Sequence, residues 1–151
     1  MSEPVRHSIE VRCSVDHAFA VFTARLDLWW PRNHRRTRDA ELTMEGRAGG
    51  RFFERDAEGG EHELGQVIAW QPPTRLAYTW HPGALTLPTE VEVRFSARGE
   101  GTLVEVVHRE ASAAMGAEWP VRAQRFDAAW RHLLPEFIAL AESGEPPTGA
   151  S

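Results

Sequence analysis

The stretch from Gly46 to Trp80, GRAGGRFFERDAEGGEHELGQVIAWQPPTRLAYTW, limits what this chain can fold into more than any other part of it. It carries three short runs rich in aromatic and β-branched residues: RFFER, HELGQVIAW and RLAYTW. AEGGE and QPP separate them, and such Gly and Pro clusters turn a chain back on itself. Short strands joined by tight turns make an antiparallel meander, one face of which must be covered. The cover is expected near the C-terminus, in EWPVRAQRFDAAWRHLLPEFIALAES. There Phe126, Trp130, Leu133, Leu134, Phe137 and Ala141 recur at spacings of 3 and 4, with Arg122, Arg125, Asp127, Arg131 and Glu136 mostly opposite. Pro120 suits a first helical turn. Pro135 removes a backbone hydrogen bond and is expected to kink the helix. Ser143-Gly144 closes it, and residues 143–151 read as a flexible tail.

The flanking segments complete the meander. His7 to Cys13 alternates, with Ile9, Val11 and Cys13 on one face. Ser14 stands as an N-cap before VDHAFAVF, and Asp27 is expected to cap a second short helix, LWW, which Pro31 helps to end. RNHRRTRD, residues 32–39, holds four arginines and reads either as a solvated loop or as an anion-contacting patch beside Trp29 and Trp30. Leu42 and Met44 mark a strand before the meander, and HPGALTLP, residues 81–88, a loop after it. In Glu90 to Ala97, Val91, Val93 and Phe95 point inward. ARGEGT is a hairpin turn, and in Leu103 to Arg109 the residues Val104, Val106 and His108 share one parity. Seven strands result.

A chain of 151 residues is expected to form one domain, here residues 6–142, with a sizeable core. The formal charge of −5 argues against nucleic acid as a partner, because phosphate binding wants a basic face. Six Trp and seven Phe against one Tyr point to a core or cavity lined by rings. Cys13 is the only cysteine, which rules out an intramolecular disulfide and a Cys-based metal site and suggests a buried, inert thiol. The N-terminus lacks a signal-peptide core and no apolar run reaches membrane-spanning length, so a cytoplasmic protein is expected.

A strand, two short helices, an antiparallel run of strands and a long C-terminal helix describe an α+β sheet curling around one helix. This order resembles the helix-grip fold of the START and Bet v 1-like superfamily, also called SRPBCC. Trp29-Trp30, Gly49-Gly50-Arg51-Phe52, Glu54, Gly59-Gly60, Gly65-Gln66-Val67, Pro72-Pro73 with Leu76, Tyr78-Thr79-Trp80, and Gly101-Thr102 followed by His108 narrow it. Together they resemble the activator-of-heat-shock-protein-ATPase homologue family in its stand-alone form, over roughly residues 6–141. The chain departs where members often carry Gly before the helix Trp: Ala128-Ala129 precede Trp130. The resemblance implies small-molecule binding, cyclase-like chemistry or a co-chaperone role, and a superfold alone does not choose among them.

No HExxH, GxSxG, P-loop or GxGxxG pattern is present, so no catalytic residue is assigned. Neither a cofactor nor a metal is expected, the best metal candidates being His62, His81 and His108 from separate strands. His108 is either a hydrogen-bonded core histidine or a polar group in a cavity wall. Arg51 and Glu54 lie on opposite faces of one strand, so only one looks inward. An inward Glu54 would allow an acid–base couple with His108, and an inward Arg51 would favour an anionic ligand. The sequence leaves that choice open. A strongly curved sheet over one helix encloses space, and a cavity lined by Trp30, Glu54, Tyr78, Trp80, Phe95, His108, Phe126 and Trp130 is expected. The expected partner is a small apolar or amphipathic molecule, bound by a monomer or homodimer. A co-chaperone-like protein-binding module and a cyclase- or hydrolase-like enzyme remain the alternatives.

Overall fold

Strands that neighbour one another in this protein are not always neighbours along its chain. The structure, a computed structural model, describes residues 3–82, 87–111 and 116–143. Strand β1 (Val5–Val11) is followed by helices α1 (Val15–Thr23) and α2 (Leu26–Trp29) and a 3-10 turn (Arg32–His34). Then come β2 (Glu41–Met44), β3 (Arg51–Arg55), β4 (Glu61–Gln71), β5 (Arg75–Trp80), β6 (Thr89–Arg98), β7 (Gly101–Glu110) and the long helix α3 (Glu118–Ala141). The seven strands form one curved antiparallel sheet in the order β1-β7-β6-β5-β4-β3-β2. The helical pair therefore carries the chain from one edge of the sheet to the other. The expected tail, from residue 144 onward, and residues 83–86 of the expected loop lie outside the described residues.

Alternation sets the faces of β6 and β7. Val91, Val93 and Phe95 pair with His108, Val106 and Val104, and all six are buried. The hairpin between them turns at Gly99, whose φ of +59° is left-handed and suits glycine. Against this face lie α1 and α3, with α2 packed on both of them and on β2. The Phe22 ring sits 5.1 Å from Trp29, 5.7 Å from Phe95 and 5.3 Å from Phe137, so both short helices and the long one meet over one strand. Each such buried ring contributes up to about 3 kcal/mol.

Helix α3 buries Trp130, Leu133, Leu134, Phe137 and Ala141, as their spacing predicts, and Phe126 is partly buried. It continues unbroken on both sides of Pro135. Trp119 joins its buried face, and its indole N–H donates to the Glu3 carbonyl at 2.9 Å. No described helix is long and apolar enough to cross a membrane.

Several local expectations need correction. Ser14 does cap α1, its hydroxyl accepting from the His17 N–H at 3.1 Å. Asp27 does not cap α2. It lies inside the first turn, and its carboxylate accepts from Arg35 at 2.5 Å and from the Leu42 N–H at 2.8 Å. The segment 32–39 is neither a free loop nor an anion patch as a whole, because Arg35 is buried within it. The Arg35 guanidinium also donates to the carbonyls of Asp27 (2.6 Å), Trp30 (2.6 Å) and Ala40 (2.7 Å). A buried cation with this many acceptors fixes the loop around itself. Cys13 lies two residues beyond the end of β1, half-buried, and burial together with nearby Glu142 pushes its thiol pKa up to about 11.

In β3, Phe52 faces the core and Phe53 the outer side, yet both are buried. Phe53 is covered by Arg51, whose guanidinium carbon lies 4.1 Å from the ring centre, and by Arg55 at 5.7 Å. Strand β4 carries irregularities in its pairing with both neighbours, where one residue is skipped. Through the second one, Val67 pairs with Tyr78 and Trp70 with Leu76, so the inward parity changes along the strand.

Candidate functional site

The inward row Tyr78, Val91, His108 runs across β5, β6 and β7. Helix α3 presents Phe126, Ala129, Trp130 and Leu133 to it, at the 3 and 4 spacing of one helical face. Trp30 and His34 come from the hinge after α2, and Trp80 from the end of β5. Between them is a cavity of about 60 Å³. At about 10–15 Å³ per water, that is room for a few waters or part of a small organic group.

Of the eight residues expected to line a cavity, this one brings together Trp30, Tyr78, Trp80, His108, Phe126 and Trp130. Phe95 lies four residues beyond Val91 along β6, its ring 5.2 Å from Phe19, and is core. Trp30 is buried in the wall, with its ring 5.8 Å from Trp80 and 6.4 Å from Trp130. Glu54 faces inward and Arg51 does not: Arg51 pairs with Glu61 at 2.9 Å on the outer side. Yet Glu54 borders a different hollow, and both its carboxylate oxygens accept from the Arg36 N–H at 3.1 Å. The Glu54–His108 acid–base couple is therefore not assembled.

His108 is held by a hydrogen-bond chain that fixes its tautomer. An indole N–H can only donate, so Trp130 Nε1 at 3.1 Å makes His108 Nδ1 the acceptor. The proton is then on Nε2, which donates to the Thr89 hydroxyl at 2.8 Å. That hydroxyl in turn donates to the Trp80 carbonyl at 3.1 Å. The Phe126 ring stacks on the imidazole with centres 4.0 Å apart. Burial among these groups lowers the His108 pKa to about 3. His108 is thus a neutral wall residue with both nitrogens engaged.

Tyr78 differs. Its side chain is fully buried, its hydroxyl has no hydrogen-bond partner among the described residues, and burial pushes its pKa well up. A protonated phenol bordering the cavity with donor and acceptor capacity unused is the polar group a ligand could meet.

Two further hollows adjoin the cavity. One, of about 170 Å³, is lined by Trp80, Pro82, Arg122, Arg125 and Phe126. The other, of about 330 Å³, is lined by residues that include His34, Arg36, Glu54, His62, Glu63 and Trp80. Trp80 borders all three, so its half-buried ring marks where they meet. The His34 pKa is lowered, first by burial and then by His132, whose ring centre is 5.9 Å away. His62 is bound to Asp56 at 2.9 Å, and the described residues hold no group of three or more His, Cys, Asp or Glu side chains placed for a metal.

Sequence reasoning missed His34, which sits in the arginine-rich loop and gives no periodic signal. Ala129 was visible only as a departure from the resembled pattern, although its spacing from Phe126 and Leu133 places it on their face.

A curved sheet gripping a C-terminal helix defines the helix-grip class. Within it, residues 12–142 match the family described as "Activator of Hsp90 ATPase homolog 1-like protein", and the chain belongs to that family. No curated protein sequence matches it. Among solved structures, CalU16 from Micromonospora echinospora is similar, with a TM-score of 0.65 and 25% identity over 93% of this chain and 76% of that one. DynU16, described as a putative protein in the dynemicin biosynthetic locus, superposes with a TM-score of 0.73 at 17% identity, over 97% of this chain but 50% of its own. The Aha1 dimer from Colwellia psychrerythraea gives a TM-score of 0.69 at 17% identity, over 95% and 99% of the two chains.

Proposed function

We propose that this protein binds a small, largely apolar molecule between its sheet and α3. The observation that carries the reading is the Tyr78 hydroxyl, fully buried, without a partner among the described residues, and bordering a cavity otherwise walled by rings and aliphatic groups. A buried hydroxyl left unpaired costs about 1–3 kcal/mol, and a ligand that accepts from it or donates to it removes that cost. The setting of one solved neighbour, a biosynthetic locus, agrees with a small-molecule role. Catalysis finds less support, because His108 is neutral with both nitrogens engaged and Glu54 is occupied elsewhere. Among the described residues, a protein-docking role would rest on four large exposed apolar residues carried by four different segments. The large exposed apolar residues Leu28, Ile68, Leu87 and Val121 are on α2, on β4, in the segment before β6 and on α3.

The test fills the cavity. Ala129 borders it, whereas Ala128 is exposed, so Ala129→Leu is the informative change. A hydrophobic naphthalene probe should quench tryptophan fluorescence of the parent protein at micromolar concentrations, and Ala129→Leu should abolish that while the thermal melt stays cooperative. Equal quenching in both proteins would show that the probe binds elsewhere and would end the proposal.

A further inference from the structure

The walls of the three hollows around Trp80 are not electrically alike, and the difference bears on what the cavity takes. The about 170 Å³ hollow shares Trp80 and Phe126 with the ring-lined cavity, and its charged lining groups among the described residues are Arg122 and Arg125. They stand three apart on α3, so both guanidiniums serve the same side of the helix. Arg122 is positioned by its Nη1, which donates to the Leu87 carbonyl at 3.1 Å, and Glu118 is its nearest carboxylate at 3.9 Å. That distance is too long for a hydrogen bond, so the remaining donors of Arg122 are not spent on Glu118. Arg125 forms no ion pair among the described residues. The about 330 Å³ hollow is mixed instead, with Glu54 and Glu63 beside Arg36. Negative charge is therefore favoured on the α3 side only.

We propose that the ligand is an aromatic carboxylate, with its ring across Trp80 and Phe126, one edge reaching the cavity beside Tyr78, and its anionic group held by Arg122 and Arg125 in the adjoining hollow. This inference rests on the cavity-binding reading and adds the ligand's charge and direction of entry. An apolar ring slides between Trp80 and Phe126, which border both spaces, and leaves its carboxylate where planar guanidiniums can receive it. The arrangement also explains why a chain of net charge −5 carries two adjacent cations at this opening.

Three probes of one shape separate the possibilities: 2-naphthoate, 2-naphthol and protonated 2-(aminomethyl)naphthalene. Binding is followed by tryptophan quenching and isothermal titration at pH 7.5 and low salt. The carboxylate should bind roughly tenfold more tightly than the neutral alcohol, with the ammonium weakest. Added salt should weaken the carboxylate and leave the alcohol unchanged. Arg125→Gln, at an exposed position, and the double variant Arg122→Gln/Arg125→Gln should bring the carboxylate down to the alcohol's affinity without altering the alcohol's own. If alcohol and carboxylate bind the parent equally, or the preference survives the double variant, the charge assignment is wrong while cavity binding stands. If none of the three binds, both proposals fall together.

Discussion

The His108 chain makes a quantitative statement about acid. In the folded protein the imidazole has a pKa of about 3, and in the unfolded chain it has its ordinary value of 6.5. Between these values the unfolded chain binds a proton that the folded protein refuses, so stability rises with pH across that window. The contribution is complete above 6.5 and is lost progressively as pH falls toward 3. At pH 5, 1.5 units below the unfolded value, each unit being worth 1.36 kcal/mol, the loss is about 2 kcal/mol relative to pH 7. No charged group shares in the cause: Thr89, Trp119, Phe126 and Trp130 surround the ring, and burial alone accounts for the shift. Urea unfolding of the parent and of His108→Gln at pH 7 and pH 5, followed by tryptophan fluorescence, isolates the effect, since other titrating groups are common to both. The parent should lose about 2 kcal/mol more than the variant over that interval. Nitrogen-15 spectra should show a neutral ring with its proton on Nε2 throughout. The same pH slope in both proteins, or an imidazole that titrates near 6, would refute the hydrogen-bond chain as described.

Three further outcomes follow from packing. Tyr78→Phe should leave the ligand-free protein equally stable or raise its stability by about 1 kcal/mol, because an unpaired buried hydroxyl is removed, and should weaken ligand binding; thermal melts with and without ligand check both halves. Gly65→Ala would put a Cβ atom less than 2 Å from the Thr79 carbonyl oxygen, so it should destabilise by at least about 3 kcal/mol in urea unfolding. Arg35→Lys keeps the charge but cannot serve Asp27 and three carbonyls with a planar fork, and should cost about 3 kcal/mol by the same measurement.

How much of this could be read beforehand depended on whether one face of an element is wet. Val91, Val93 and Phe95, and likewise Val104, Val106 and His108, alternate with polar residues because their other side meets water, and their inward parity was legible. The choice between Arg51 and Glu54 was not, because two arginine stems dry out the outer face over Phe53 and erase the alternation. Along β4 the skipped residues change the parity between Val67 and Trp70, a shift that no fixed period reports. Composition counted four arginines in residues 32–39 but could not say that Arg35 alone goes inside, since that depends on carbonyls supplied by Asp27, Trp30 and Ala40. Tyr78, Trp80, His108, Phe126 and Trp130 were readable from parity and helical spacing, and Trp30 from its place at the end of the helical hinge. The unpaired state of Tyr78 did not, because it is a property of what fails to approach.

The place of β1 beside β7 has a consequence for how the chain must be made. During synthesis the first strand emerges about ninety residues before Gly101, where its only sheet partner begins. At roughly 5–20 residues per second the ribosome leaves it waiting for seconds with an open edge. Its outward positions are Arg6, Ser8 and Glu10, hydrophilic side chains on a strand that stays unpaired longest. Those three hydrophilic residues disfavour sticking of the waiting strand, and they remain useful in the folded protein, where β1 ends the sheet and keeps one edge open.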